Sequence, residues 1–118
     1  RADIPEPVTL QPRESTFFNT GLEVAIPEGY FGALAIRSSL ACKHGLMLAN
    51  SLGIIDSCYR GPVKAKLVNI GRRPYTINPG DRIAQLLIIP CVHATFIQVD
   101  ELPESDRGTG GFGSTGAQ

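Results

Sequence analysis

Apolar and polar residues alternate along much of this 118-residue chain. In the stretch "GLEVAI" (21–26) the apolar residues share one face, and a Pro-Glu-Gly turn follows. In "VKAKLVN" (63–69) Val63, Ala65 and Leu67 alternate with two lysines and a valine. A period of two places successive side chains on opposite faces of a β-strand. Both stretches are therefore predicted to be strands with one face in a hydrophobic core.

Further strand-like runs are separated by regularly spaced turns. "YTI" (75–77) precedes the turn Asn78–Asp81, and "RIAQLLIIP" (82–90) and "VHATFIQV" (92–99) follow as longer, more apolar runs. Short alternating runs between turns are typical of β-sandwiches and β-barrels. We therefore predict an all-β, jelly-roll-like domain over residues 1–102.

The evidence for helix is thin, and the end of the chain differs in composition. Only "SLACKHGLML" (39–48) has room for a helical turn or two, and Gly45 interrupts it. From about residue 103 no strand-like pattern follows, and glycine is frequent from residue 108. We predict that residues 103–118 form a flexible C-terminal arm.

The charge balance and the cysteines narrow the class of protein. Eleven basic and eleven acidic side chains cancel to a formal net charge of +0. This balance argues against a broad electrostatic footprint for nucleic acid or an anionic membrane. The three cysteines are odd in number and widely spaced, which favours a reducing compartment over a disulfide framework or a zinc site. No apolar run approaches membrane-spanning length, and we expect a cytoplasmic protein.

The stretch "ANSLGIIDSCYRGP" (49–62) is the first candidate site. Glycines and a serine bracket Asn50, Asp56 and Tyr59 between strand-like runs, which predicts a β-hairpin with an open mouth. Backbone groups and the Asn50 amide offer both donors and acceptors to the edge of a flat heterocycle. A surface hairpin with a polar tip is the alternative, and this stretch alone leaves it open.

Two other stretches carry donors that suit phosphate. Arg37, Ser38 and Ser39 supply a guanidinium, two hydroxyls and successive N–H groups, next to a short helix that we expect to start near Leu40. The alternative is that Ser39 caps the helix while Arg37 points to solvent. Gln85 interrupts an apolar run, so its amide needs a partner, either within the core or in a ligand.

The C-terminal "RGTGGFGSTGAQ" resembles the phosphate-loop pattern G-x-x-x-x-G-K-[ST], with Ser114 in place of the lysine. Glycines let a backbone wrap closely around an anion and point its N–H groups inward. Arg107 supplies the charge that the lysine would have given, and Phe112 is suited to stacking on a base. A plain flexible tail is the alternative, but it leaves these side chains without a role.

Four quoted motifs resemble one family. "IRSSLACKHG", "LGIIDSCYRG", "PGDRIAQL" and "RGTGGFGSTG" are similar to the second to fifth motifs of the trimeric dUTPases, the deoxyuridine 5'-triphosphate nucleotidohydrolases. The resemblance implies a jelly-roll homotrimer with three active sites at subunit interfaces and no nucleic-acid or membrane partner. It implies hydrolysis of dUTP to dUMP and pyrophosphate, which keeps uracil out of DNA and supplies dUMP for thymidylate synthesis. It also implies Mg²⁺ bound through the substrate phosphates, with no direct protein ligand.

The resemblance also assigns roles to residues. Asp56 holds or deprotonates the attacking water, Tyr59 lies beneath the deoxyribose, and the arm closes over the nucleotide. The residues implied for uracil are Asn50, the backbone around Gly53 and Ile55, and Phe112 of the arm. Those implied for the phosphates are Arg37, Ser38, Ser39, Gln85, Arg107, Ser114 and Thr115.

The sequence departs from the family in several places. The first motif, an Ala-Gly-x-Asp-Leu run, belongs just before Arg1, so we expect the encoded polypeptide to supply it and the first strand upstream. The second motif has Ile36 and Ser39 where the family usually has proline and glycine. Cys58 stands where the family often has an acid. A filler role is one interpretation of this cysteine, and a reactive thiol near Asp56 is another.

Two other functions are compatible with parts of this pattern. The dCTP deaminases share the fold, but their glutamate base aligns with Lys66, and a lysine cannot take that role. The other is a non-catalytic β-domain that binds a nucleotide or serves in assembly.

Overall fold

The computed structural model describes residues 1–114 and 116. Within these residues the chain forms eight strands and one short helix. In chain order they are β1 (Val8–Leu10), β2 (Ser15–Glu23), β3 (Tyr30–Ile36), α1 (Ser38–His44), β4 (Leu46–Leu48), β5 (Gly53–Ile55), β6 (Pro62–Asn69), β7 (Tyr75–Ile77) and β8 (Ala84–Pro90).

The strands form three small antiparallel sheets. Their orders are β1-β7, β2-β6-β4 and β5-β3-β8. The strand pairs are antiparallel throughout, with β3 in the middle of the third sheet. The sheets enclose one hydrophobic core. The predicted all-β, jelly-roll-like fold is confirmed.

Strand β6 follows the predicted alternation closely. Val63, Ala65 and Leu67 are buried and Lys64 is exposed. Leu67 and Phe18 of β2 are both 0% exposed, so they lie at the centre of the core. Burial of one such side chain contributes about 1.5 to 3 kcal/mol. One face of this strand therefore packs in the core, and the opposite face is turned toward solvent.

The prediction for "GLEVAI" was wrong in its bounds. Strand β2 begins at Ser15 and ends at Glu23, and Leu22 is 48% exposed. The pairing of β2 with β6 shifts register between Asn19 and Glu23, and Gly21 has a φ of +70°. A bulge of this kind breaks the two-residue period. The alternation from residue 24 onward therefore did not mark a strand.

The prediction for "VHATFIQV" was wrong for the single chain. The last strand, β8, ends at Pro90, and residues 91–99 have no regular structure. Val92, Phe96 and Ile97 are 92%, 95% and 81% exposed. An alternating segment becomes a strand only when a sheet edge offers hydrogen-bond partners, and no described strand of this chain pairs with it.

The helix begins two residues earlier than expected. Arg37 is the N-cap residue of α1 with extended backbone angles, so Ser39 lies in the first turn and the interpretation of Ser39 as a cap was wrong. Gly45 ends the helix in the left-handed conformation at φ +66°, as its position in the sequence predicted. No helix among residues 1–114 is long and apolar enough to cross a membrane.

Candidate active site

A cavity of about 310 Å³ opens beside β5. It gathers a carboxylate, an amide and a tyrosine ring from the predicted site, together with backbone from β5. The predicted residues that line it are Asn50, Gly53, Ile55, Asp56 and Tyr59. Five residues proposed for the base, the sugar and the water are thus brought together in one chain.

The stretch predicted to be a simple hairpin has a different construction. Its stems are β4 and β6, which pair with each other, and the Ala49 N–H donates to the Lys66 carbonyl at 2.8 Å. Between these stems, β5 leaves the sheet and pairs with β3 of the other sheet. The 49–61 loop therefore spans two sheets, which explains why its mouth is wide.

Gly53 allows the loop to approach β3 closely. It pairs with Leu34, and a Cβ at residue 53 would lie 3.1 Å from the Leu34 Cβ and 3.7 Å from the Asn50 Nδ2. The Asn50 carbonyl accepts from the Leu52 N–H at 2.6 Å. Any larger residue at position 53 would push the loop away from its neighbouring strand. Gly53 thereby allows β5 to pair closely with β3.

Tyr59 is held by the end of the same loop. Its hydroxyl donates to the Pro62 carbonyl at 3.1 Å. A Cβ at Gly61 would lie 2.5 Å from the Tyr59 hydroxyl oxygen and 2.7 Å from its Cζ, so the ring occupies the space that a side chain there would need. Sequence reasoning missed Gly61. The signal was present in "YRG", where a glycine follows an aromatic residue at a distance of two.

Asp56 follows β5 directly, at the point where the loop turns back. Its carboxylate is exposed, and its carbonyl accepts from the Tyr59 N–H at 3.1 Å. Arg60 reinforces this turn, since its Nη1 donates to the Ser57 carbonyl at 2.7 Å and to the Tyr59 carbonyl at 2.9 Å. The turn therefore fixes the backbones of Asp56 and Tyr59 relative to each other.

Two residues on the remaining wall were also missed. Phe17 of β2 and Lys64 of β6 line the cavity opposite the loop. Phe17 is 64% exposed, and the Lys66 Nζ lies 5.2 Å from its ring centroid. The outward positions of β6 were predicted from alternation, but nothing local in the sequence linked them to the 49–61 loop.

The predicted phosphate donors form a separate group. Arg37, Ser38 and Ser39 lie at the junction of β3 and α1. Gln85 of β8 pairs in register with Ala35, and its Nε2 donates to the Ile36 carbonyl at 3.1 Å. Gln85 is exposed, so its interpretation as a core glutamine was wrong. None of these four donors lines the cavity beside β5.

The described part of the C-terminal arm lies outside the cavity beside β5. The Arg107 Nε donates to the Gly110 carbonyl at 2.7 Å, and Phe112 is fully exposed with a φ of +46°. Ser114 is exposed, and Thr115 lies outside the described residues. Neither Arg107, Phe112 nor Ser114 lines the cavity.

The thiols and acids of the described residues show no shared metal site. Cys42 and Cys58 are exposed and Cys91 is partly buried, and all three are free thiols. Among residues 1–114 and 116, no group of three or more His, Cys, Asp or Glu side chains is placed to hold a metal ion.

The protein is an all-β, jelly-roll-like domain with a cavity beside β5 and a glycine-rich C-terminal arm. A dUTPase family model matches residues 3–116. The chain belongs to the dUTPase family.

Relatives that are named as deoxyuridine 5'-triphosphate nucleotidohydrolases match most of the chain. The deoxyuridine 5'-triphosphate nucleotidohydrolase of Leifsonia xyli is 49% identical over 112 residues, which are 94% of this chain and 74% of the relative. That of Burkholderia cenocepacia is 49% identical over 117 residues, which are 98% of this chain and 79% of the relative.

Solved structures agree with the fold. A Staphylococcus bacteriophage 80alpha dUTPase mutant with dUpNHpp superposes with a TM-score of 0.87 at 31% identity, over 95% of this chain and 82% of the phage chain. A mutant dUTPase from phage phi11 of S. aureus superposes with a TM-score of 0.75 at 30% identity, over 84% of this chain and 80% of the phage chain. The phi11 structure is described as revealing the coordination of a structural Mg(II) ion.

Proposed function

We propose that this chain performs the dUTPase reaction, hydrolysis of dUTP to dUMP and pyrophosphate, with Asp56 as the residue that acts on the attacking water. The observation that carries the proposal is the cavity beside β5, where Asp56, Asn50 and Tyr59 share one wall. In the cell this reaction keeps uracil out of DNA and supplies dUMP for thymidylate synthesis. The free thiols suit a cytoplasmic location, which is part of the proposal.

The uracil would lie against the 49–61 loop. The Asn50 amide offers a donor and an acceptor, and the backbone of Gly53 and Ile55 offers more of both. A base with the wrong edge would leave these groups unpaired in a desolvated cavity. A site built to satisfy hydrogen bonds rejects such analogues strongly, by about 10⁴-fold or more.

The deoxyribose would lie on Tyr59. The hydrogen bond from its hydroxyl to the Pro62 carbonyl fixes the ring, and Gly61 leaves room for it. A ring held in this way cannot move aside for an additional hydroxyl. We propose that this contact excludes the 2'-hydroxyl of a ribonucleotide.

Asp56 would hold the water that attacks the α-phosphorus and accept its proton. The carboxylate is exposed at the edge of the cavity, next to the residues assigned to the base and the sugar. Attack forms a bond from the water oxygen to the α-phosphorus and breaks the bond to the bridging oxygen, which leaves with pyrophosphate. Positioning and charge neutralisation supply most of the catalysis in reactions of this type.

Arg37, Ser38, Ser39 and Gln85 would bind the phosphate oxygens. The guanidinium makes charge-assisted hydrogen bonds, and the first N–H groups of α1 point away from the helix. The contact of Gln85 with the Ile36 carbonyl uses only one N–H of its amide. The rest of this side chain is available beside Arg37.

These donors suit phosphate oxygens and not a cation. We therefore place Mg²⁺ on the triphosphate itself, with water completing its coordination, as is usual for Mg²⁺ in nucleotide sites. The ion would neutralise charge on the phosphates. The structural Mg(II) ion described for the phi11 relative supports a role for this metal in the family.

The separation of the two groups supports a site shared between subunits. Neither the donors near Arg37 nor the described residues of the arm line the cavity that holds Asp56. Residues 92–102 also expose apolar side chains that need cover, including Phe96 at 95% and Leu102 at 83%. We propose a homotrimer in which each active site combines the cavity of one subunit with the phosphate donors of a second. The arm, with Arg107, Phe112, Ser114 and Thr115, would close it.

The decisive assay compares two products. Release of pyrophosphate from dUTP, without release of ammonia from dCTP, is expected of the dUTPase. Lys66 already stands where the deaminases have their glutamate base, and it contacts Phe17. Ammonia release, or dUTP binding with no hydrolysis by the full assembly, would overturn the proposal.

A further inference from the structure

A groove between the end of α1 and the β6–β7 connection concentrates positive charge. It has a volume of about 510 Å³, and its lining includes Lys43, His44, Arg72 and Arg73. These four side chains are exposed, and no acidic residue is among those that line the groove. We call residues 43–45 and 71–75 the basic groove. None of them lines the cavity beside β5.

A buried amide holds the groove in shape. Asn69 is 0% exposed, and its Nδ2 donates to the Leu10 carbonyl at 3.0 Å and to the Arg73 carbonyl at 2.8 Å. Its Oδ1 accepts from the Gly71 N–H at 2.9 Å. Asn69 therefore ties the connection that carries the two arginines to the core at two points, Gly71 and Arg73, and its third hydrogen bond joins it to β1.

The two sides of the basic groove also contact each other. A Cβ at Gly45 would lie 2.8 Å from the Gly71 Cα, and the Ile70 N–H donates to the Gly45 carbonyl at 2.8 Å. The rings of His44 and Tyr75 lie 4.5 Å apart between centroids. Lys43, Arg72 and Arg73 thus project from a fixed frame, and their positive charge has no acidic partner within the groove lining.

The complementary charge lies in the same sequence. Of the eleven acidic residues of the chain, Asp100, Glu101, Glu104 and Asp106 fall within one seven-residue stretch. All four are exposed. We call residues 100–106 the acidic segment. Arg107, the first residue assigned to the phosphates in the arm, follows it directly.

The acidic segment is placed to reach another copy. Strand β8 ends at Pro90, and Asp100 follows ten residues later. A fully extended stretch of that length spans up to about 35 Å. The stretch between them exposes apolar side chains instead of packing them on its own domain. A second copy that covers this stretch would receive the acidic segment as well.

We propose that the acidic segment of one subunit docks in the basic groove of a second copy of this chain. This inference rests on the proposed function, because it takes the shared active site as its setting. Docking would fix the start of the arm beside its target, which raises the effective concentration of Arg107 at the phosphates. A nucleic acid is the alternative anionic partner for this groove. The formal net charge of +0 argues against it, because nucleic-acid-binding domains usually have an extended basic surface.

The first test is a cross-link that needs no substrate. A carbodiimide joins a lysine amine directly to a carboxylate in contact with it. We expect it to link Lys43 to the acidic segment in an assembly made from isotope-labelled and unlabelled subunits. The expected result is cross-linked peptide pairs that carry one labelled and one unlabelled peptide. These pairs should disappear at about 1 M salt, where charge screening is strong. No such link, or links within one label only, would overturn the proposal.

The second test reverses the charges. Arg72→Glu with Arg73→Glu is expected to abolish the cross-link and to raise the KM for dUTP about five- to tenfold, because the arm loses its effective concentration. Adding Glu101→Lys and Glu104→Lys is expected to restore KM to within about twofold of the parent. An unchanged KM and an intact cross-link in the groove variant would refute docking.

The matched control changes the same charge elsewhere. Arg13→Glu with Arg82→Glu alters two exposed arginines outside the groove and should leave the cross-link and KM as in the parent. If a short single-stranded oligonucleotide binds the parent at physiological salt and the groove variant releases it, the groove belongs to nucleic acid and the proposal is wrong. The cross-link is measured without turnover, so it fails or succeeds independently of the dUTPase assay.

Discussion

Gly61 gives the sharpest test of how Tyr59 is positioned. The φ of this glycine lies outside the left-handed region, so Gly61→Ala introduces no backbone strain. Its new Cβ would instead lie 2.5 Å from the Tyr59 hydroxyl oxygen, 2.7 Å from Cζ and 3.1 Å from Cε2. The contact is with a ring and not with a flexible chain end. The tyrosine must therefore rotate away.

The magnitude follows from what the rotation breaks. The hydrogen bond from Tyr59 to the Pro62 carbonyl is lost, which costs about 0.5 to 1.5 kcal/mol net. Holding the ring away from its preferred rotamer costs about 0.5 to 1.5 kcal/mol more. Together, about 1 to 3 kcal/mol of transition-state binding is at risk, a loss of roughly fivefold to 150-fold in kcat/KM.

The assay is steady-state release of pyrophosphate from dUTP, with thermal unfolding measured in parallel. Gly61→Ala should lower the free energy of unfolding by about 0 to 2.6 kcal/mol, because reduced entropy of the unfolded chain offsets only about 0.4 to 1 kcal/mol of the lost interactions. Gly111→Ala is the matched control, since a Cβ there meets nothing within 4 Å. It lies in the arm, so it is compared through Tm alone.

A double-mutant cycle separates positioning from a general defect. In a Tyr59→Ala background the ring is absent, and Gly61→Ala should add less than about 0.5 kcal/mol to the loss. If Gly61→Ala keeps kcat/KM within twofold of the parent, or if its effect is the same in both backgrounds, Gly61 does not act through Tyr59.

Other expected outcomes follow from the same structure. Asp56→Asn should keep affinity for a non-hydrolysable dUTP analogue and lose about 10²- to 10⁴-fold in kcat; calorimetry and pyrophosphate release measure the two, and equal turnover would remove Asp56 from its role. Deleting everything after Asp106 should cripple turnover while size-exclusion chromatography with light scattering finds the assembly intact; full activity would refute the closing arm. Alkylating Cys58, which is exposed two residues from Asp56, should slow turnover, and unchanged kinetics would assign it a filler role. Asn69→Ala should lower the free energy of unfolding by about 2 to 4 kcal/mol, since buried partners lose three hydrogen bonds; a Tm within one degree of the parent would contradict this.

How much the sequence predicted depended on whether the signal was local. Alternation identified β6 because each of its faces meets a different environment, core for Leu67 and solvent for Lys64. It failed at β2 because the register shift near Gly21 interrupts the period. It failed at residues 92–99 because a strand needs an edge to pair with, and the described part of this chain offers none there.

Whether a residue of the candidate site was predicted also depended on whether its signal was local in the sequence. Asn50, Asp56 and Tyr59 were predicted because they lie within one short stretch whose motif is specific. Phe17 was missed because strand pairing, not sequence proximity, brings it to the cavity. Gly61 was missed because its role is to leave space, and the sequence alone does not say which side chain fills that space.

Under the proposed function, closure of the arm depends more on the triphosphate than on the contact of Phe112 with the base. Residues 107–116 include Gly108, Gly110, Gly111, Gly113 and Gly116. Fixing each residue of such a stretch costs about 1 to 2 kcal/mol in backbone entropy. Hydrogen bonds to charged phosphate oxygens contribute about 1.5 to 3 kcal/mol each, so several are needed to offset that cost.

Under the proposed closure, a triphosphate offers the arm more of these acceptors than a monophosphate does. The product dUMP keeps one phosphate of three, so most of the offsetting bonds disappear when pyrophosphate leaves. The same glycines that make closure costly therefore make opening favourable after hydrolysis. The arm is expected to hold the substrate and to release the product without any further conformational signal.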